Sequence, residues 1–361
     1  MKEDNNFIYT FATTVSILLL SISIFNYLVD PLSVFTQSDN QSREYKLAEL
    51  LTNHPNIIIS TNMDERKFIQ TRVKLESSQF DPNTIIVGSS RVLQLGNHLL
   101  DKNVLNLGVS GATIEDEVAI LDIATKKFNP NTLIIGADPW VFNEASGQTG
   151  WQTLSEEYQR AVANLELDSK AEIIKKKKNY EQLIGSAYTK ESISYVYNEF
   201  FNPKKDENIE YSDSDQPLPN KEIIRRDGSR VYSLKYANQN EDLKTRDSKN
   251  WINYSMNPYY YSKKRKEILE ALLENYNKDY KIIMLLTPYH PAAYDEILKN
   301  ASVIIEMEKE LRLIAKSKNI RIIGSYNPDR YDCQGPEFYD GAHPKDSCMK
   351  KIIALDRLYP N

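Results

Sequence analysis

The chain is poor in the residues that build metal centres and disulfide scaffolds. It has two cysteines and four histidines among 361 residues. No CxxC or HExxH spacing occurs, which excludes the common zinc modules. No metal or organic cofactor is implied. A basic surplus is also missing: 45 Lys and Arg stand against 50 Asp and Glu, a net charge of −5. Nucleic acid is therefore not an expected partner. No internal repeat is visible, and long uncharged runs are absent but for one.

That run, FIYTFATTVSILLLSISIFNYLV, covers residues 7–29. At about 1.5 Å per residue it is long enough to cross a bilayer as a helix. It leads into Asp30 and Pro31 without an Ala-x-Ala-like exit, which favours an uncleaved anchor over a signal peptide. No second span follows. The expectation is a single-pass membrane protein whose body lies wholly on one side, periplasmic or extracellular. The two cysteines bear on the side. Cys333 and Cys348 are 15 residues apart around one short loop. They are either a disulfide, which needs an oxidising compartment, or two separate buried thiols.

What is abundant is tyrosine, 23 residues against 3 tryptophans. Tyrosine suits wet binding surfaces and also packs ordinary cores. The organisation follows from hydrophobic rhythm. Residues 1–30 are a short tip and the anchor, and 31–80 are polar and mixed, a stalk with short amphipathic helices. From residue 81 strands and helices alternate: TIIVGSS (84–90), NVLNLGVSG (103–111), the helical TIEDEVAILDIATKKF (113–128), and NTLIIGADPW (131–140). The rhythm breaks over about 144–260, a charged and Tyr-rich insertion. In it IIRRDGSRVYS (223–233) reads as a surface hairpin on an Asp-Gly turn. KKKK (175–178) reads as a solvated helix face. The alternation then resumes with KKRKEILEALLENY (263–276), KIIMLLTPYHP (281–291), a helix over 303–318, IRIIGSY (320–326) and a last helix over 344–359. This predicts an α/β fold of three layers, a parallel sheet flanked by helices on both faces.

Chemistry in open α/β sheets sits at the carboxyl ends of the strands. Four strands here end on polar or glycine-rich sets: GSSR, NLGVSGAT, GADPWVFN and TPYHP. A serine nucleophile needs a base within reach, a carboxylate behind the base, and donors for the oxyanion. His54 lies in the stalk and His98 in a turn. His343 stands in FYDGAHPK with Asp340 three residues before it. In one helical turn those two positions share a side.

Taken together, these pieces resemble the SGNH (GDSL-like) hydrolase family. IVGSSR matches its first block, with Ser90 at the nucleophile position and Ser89 where the family has aspartate. NLGVSGAT matches the glycine block. IIGADPW falls where the family has Gly-x-Asn-Asp, with Asp138 at the oxyanion-hole asparagine. DGAHP matches the terminal Asp-x-x-His block. The resemblance covers residues 84–143 and 281–345. It implies a flavodoxin-like sheet, a triad of Ser90, His343 and Asp340, and oxyanion donors from Ser90 and Gly111. Asn143 is the candidate to replace the missing asparagine. Arg91, Asp138, Trp140 and His290 are candidate substrate contacts. Phe142 could stack on a sugar beside Trp140, and Arg225, Arg226 and Asp227 could line the mouth of the cleft.

With its anchor and insertion, the chain is similar to envelope proteins that O-acylate glycans. By that likeness it would carry an acyl group on Ser90 to an envelope polysaccharide or to water, beside a polytopic membrane acyltransferase. Two other readings fit the same residues: a catalytically inactive glycan-binding or assembly factor, and a structural subunit of a membrane complex.

Overall fold

The computed structural model describes residues 2–29, 42–59, 63–100, 103–165, 183–185, 210–255 and 258–356, with a few positions between 189 and 197. The lysines at 175–178 lie outside the described residues. The chain divides into two compact units. The smaller holds residues 1–42 and 173–209. Its long helix, Lys2–Val29, contains a 21-residue stretch, Tyr9–Val29, of mean hydropathy 1.8, long and apolar enough to cross a membrane. Near its end Asn26 is buried and donates to the Leu183 carbonyl at 2.7 Å and to the Thr189 hydroxyl at 2.8 Å.

The larger unit holds two sheets. The strands are β1 (Asn56–Ile59), β2 (Thr84–Val87), β3 (Val104–Asn106), β4 (Thr132–Gly136), β5 (Glu210–Tyr211), β6 (Glu222–Arg225), β7 (Arg230–Val231), β8 (Lys281–Leu286) and β9 (Arg321–Gly324). Five form a parallel sheet in the order β3-β2-β4-β8-β9. Numbered within the sheet this is 2-1-3-4-5, the doubly wound order. Its strands read as continuous apolar runs because helices cover both faces. Every residue of β2 and β4 is buried, with Ile85 opposite Leu105 on one side and Leu133 on the other. The helix Ile114–Lys127 follows β3. A capping box between Thr113 and Asp116 opens it, acids fill its first turn and lysines its last. Both charge placements favour the helix dipole.

Two expectations about organisation are corrected. Residues 43–80 are not a stalk. The helices Arg43–Asn53 and Glu65–Leu75 bury Leu47, Leu51, Phe68, Ile69 and Val73, and β1 lies inside a second, antiparallel sheet of order β5-β1-β6-β7. Within 144–260, β5, β6 and β7 complete that sheet around β1. The hairpin does turn at Asp227-Gly228, but it is no surface feature. The Asp227 carbonyl accepts from Asn106 N at 2.7 Å, and its carboxylate from Asn97 N at 2.7 Å. The hairpin therefore seals the open end of β3.

Candidate active site

Ser90 sits where the chain leaves β2. This is the switch point of the parallel sheet, because β3 lies on one side of β2 and β4 on the other. Crevices at such points bind ligands in this class of fold. Gly88 has φ +145°, and a side-chain carbon there would lie 3.0 Å from the Gly136 Cα of the neighbouring strand. Only glycine lets β2 and β4 end so close together. The Ser89 hydroxyl accepts from Arg91 N at 3.2 Å and caps the short 3-10 turn Ser90–Val92. Ser90 is thus fixed at the first position of a capped turn, half-buried, with its hydroxyl at the sheet edge.

The Ser90 Oγ lies 2.8 Å from His343 Nε2. The His343 Nδ1 lies 2.8 Å from both carboxylate oxygens of Asp340. Asp340 Oδ1 also accepts from the backbone amides of Ala342 at 2.8 Å and His343 at 2.9 Å, which winds the DGAH segment into a tight turn. Asp340 Oδ2 accepts from the Tyr236 hydroxyl at 2.6 Å. Burial alone would raise the Asp340 carboxyl. The His343 ring, the Tyr236 hydroxyl and the Ala342 amide outweigh it and hold the carboxyl well below the usual range. Residues 253 positions apart in sequence thus make one hydrogen-bonded chain from hydroxyl to imidazole to carboxylate.

Arg91 holds this arrangement together. Its side chain is 1% exposed. Nε donates to the Ala342 carbonyl at 3.1 Å, beside His343. Its terminal nitrogens donate to Asp138 at 3.0 Å, to the Pro288 carbonyl at 3.2 Å and to the Thr287 carbonyl. The guanidinium also lies 4.0 Å from the Tyr289 ring centroid. One side chain therefore joins the strand ends of β2, β4 and β8 to the histidine loop. Enclosed in this way, Arg91 cannot touch a ligand, which corrects the expectation that it binds substrate. Asp138 is corrected with it. Its carboxylate is buried, paired with Arg91 and hydrogen-bonded by the Ser89 hydroxyl. Burial pushes its pKa up, against the pull of both partners.

Asn143 is not an oxyanion donor. It is buried, its Nδ2 donates to the Pro258 carbonyl at 3.3 Å, and its Oδ1 accepts from Ala145 and Tyr260 amides. It braces the segment at 258–261. Trp140 is half-buried and donates from Nε1 to the Ala112 carbonyl at 2.9 Å, pinning the glycine block. Phe142 is fully buried against Tyr261. Arg226 pairs with Glu76 and lies over Phe80, and Arg225 pairs with Asp215 at 2.8 Å. His290 is 2% exposed and caps the helix Pro291–Asn300 by accepting from Ala292 N at 3.1 Å. Gly111 takes the left-handed conformation at φ +61°, with the Gln148 carboxamide against its α carbon. Cys333 and Cys348 are bonded, with Cα atoms 5.3 Å apart, and the loop they close carries Asp340 and His343. Among the described residues no three His, Cys, Asp or Glu side chains gather as a metal site.

Tyr236 is a site residue that the sequence reading did not single out. It stacks on Tyr339 with centroids 5.4 Å apart, and Tyr232 meets both rings edge-on. The Tyr232 hydroxyl lies 3.5 Å from the Ser90 carbonyl. The available signal was a pair of tyrosines four apart, Tyr232 just after the hairpin and Tyr236 in the short helix Leu234–Ala237, diluted by the other tyrosines of that stretch. No curated protein matches the chain. The model of a family described as a protein of unknown function, DUF1574, matches residues 52–358. Since that match spans both sheets and every residue of the arrangement around Ser90, the chain belongs to the DUF1574 family.

Proposed function

We propose that the protein is a serine-dependent O-acyl esterase or O-acyltransferase of the SGNH type, working on a cell-envelope polysaccharide through an acyl-enzyme on Ser90. The observation that carries this reading is the 2.8 Å contact of Ser90 Oγ with His343 Nε2, continued at 2.8 Å from Nδ1 to Asp340. In the first half-reaction His343 Nε2 takes the Ser90 proton as Oγ attacks the donor carbonyl. The imidazolium returns that proton to the departing oxygen, and the acyl–Ser90 ester remains. In the second half, a sugar hydroxyl or water gives its proton to Nε2 and attacks the ester. The bond to Oγ breaks, and Ser90 recovers the proton. In this reading the Ser90 and Gly111 amides are the donors for the developing charge, as the resemblance implies.

The disulfide supports an oxidising compartment, and the apolar helix supports a single-pass anchor that puts the body on the periplasmic or extracellular side. A polytopic membrane acyltransferase is the partner that would deliver the acyl group. The test is p-nitrophenyl acetate turnover by the full-length chain in detergent, with a fluorophosphonate label read in parallel. Wild type should turn over and label, and Ser90→Ala and His343→Ala should do neither. Equal labelling of wild type and Ser90→Ala would overturn the reading and favour a non-catalytic glycan-binding role.

A further inference from the structure

The larger unit contains a cleft of about 580 Å³. That volume is in the range of small-ligand sites. Its walls come from the end of β1, the helix Glu65–Leu75, the glycine block and the β6–β7 hairpin. Two of its residues tie it to the proposed chemistry. Ser110 precedes Gly111, and Ser233 follows Tyr232, whose hydroxyl reaches the Ser90 carbonyl at 3.5 Å.

The charges in this cleft are already matched. Arg230 bonds Glu65 and lies 3.5 Å from Glu222. Arg66 is held by both oxygens of Asp116 at 2.9 Å. The lining carries Asp64, Glu65 and Glu222 against those two arginines, so an arriving anion meets paired guanidinium groups and a surplus of carboxylate. Like charges brought together without a partner are costly, and rejection of this kind sets specificity. What the cleft offers instead is hydroxyl and amide chemistry: Ser110 and Thr153, whose protons go to Glu65 and Asp64, can accept, the Asn220 carboxamide lies on the lining, and Ser233 accepts from Tyr236 N. Carboxylates fixed by arginine are good acceptors for ligand hydroxyls.

We infer that this cleft holds the acyl acceptor, and that the acceptor is a neutral, polyhydroxylated saccharide rather than a polyanion. The inference rests on the acyl-transfer reading for its biological sense, but its test does not depend on turnover. Binding is measured by calorimetry on the full-length Ser90→Ala chain in detergent. The probes are neutral tetrasaccharides of glucose, mannose and galactose, and tetragalacturonate. At least one neutral probe should bind, and tetragalacturonate at least tenfold more weakly. Asn220→Trp, at an exposed position on the rim, and Glu222→Gln should each weaken the neutral probe tenfold or more while keeping the parent's melting temperature. No neutral binder, tighter binding of the uronate, or binding untouched by both variants would overturn the inference. Failure of wild-type ester turnover would instead remove the acyl-enzyme and leave these binding results standing.

Discussion

The Tyr236 hydroxyl donates to Asp340 Oδ2 across 2.6 Å, and the same oxygen atom of Tyr236 lies 3.4 Å from His343 Nδ1. A residue from the segment between the two halves of the parallel sheet thus orients the carboxylate behind the proposed base. Tyr236→Phe keeps the stack on Tyr339 and removes only the donor. It should lower kcat for p-nitrophenyl acetate about tenfold, the effect of one hydrogen bond to a charged group, and leave KM within about twofold. The acid side of the stability profile gives a second readout. The folded Asp340 carboxyl lies below its ordinary value. Its stabilisation is therefore present above the unfolded value of about 3.9 and is lost as pH falls through the folded one. Without the Tyr236 donor the depression shrinks, and acid unfolding should begin at a higher pH. A tyrosine that merely packs would move neither kcat nor that midpoint.

Arg91 predicts a different failure. Removing one partner of a buried ion pair leaves the other charged and unpaired, typically at about 3–5 kcal/mol. Arg91→Met should cost about that much in urea unfolding, because Asp138 is buried and three carbonyls lose their donor as well. Arg91→Lys should be intermediate, since an ammonium cannot reproduce the planar fork. The double change Arg91→Met with Asp138→Asn should recover part of the loss. A ruinous Asp138→Asn beside a harmless Arg91→Met would contradict this picture.

Much of the parallel sheet was legible because its strands are buried on both faces. IIV at 85–87 and LII at 133–135 can hardly be anything but core strands. Spacing alone paired Asp340 with His343, and their association with Ser90 was legible only through the resemblance of the four blocks to the SGNH family. The second sheet was not. The residues of β1 pair with β6 more than 160 positions away, and four residues with three isoleucines carry no alternation to reveal a partner. Polar side chains at the site were legible in type but not in direction. Arg91, Asp138, Asn143 and Trp140 all stand where a ligand contact is reasonable, and all four instead bond protein. Direction is set by the partners folding brings, and here those partners are carbonyls from distant strand ends.

The disulfide closes the loop that carries the proposed base. In the chain-entropy model a 15-residue loop contributes about 3 kcal/mol, and both cysteines also pack in the core with Met349 and Phe338. Reduction, or Cys333→Ala with Cys348→Ala, should lower the free energy of unfolding by roughly that amount. Ester turnover should suffer more than global stability, because Asp340 and His343 lie between the two cysteines. Denaturant melts with and without reductant, beside turnover at low denaturant, separate the two effects. Equal stability in both redox states would show that packing alone holds the loop.

His290 predicts a pH dependence. Its Nδ1 accepts from Ala292 N, so that nitrogen carries no proton, and Nε2 lies 3.4 Å from Glu241. Burial pushes the His290 pKa down. Glu241 acts against burial and Lys244 with it. The unfolded chain therefore takes up the proton first, near the ordinary value of about 6.5. Stability from this group is full above that pH and is lost progressively as pH falls from about 6.5 toward the folded value. Protonation would also set an N–H of the ring against the Ala292 N–H and undo the cap. His290→Asn keeps an acceptor that can cap the helix and removes the titration. Urea unfolding at pH 5, 6, 7 and 8 should give wild type a falling stability below about 6.5 and the variant a flatter profile. Parallel profiles would show that His290 is not the group that takes up the proton.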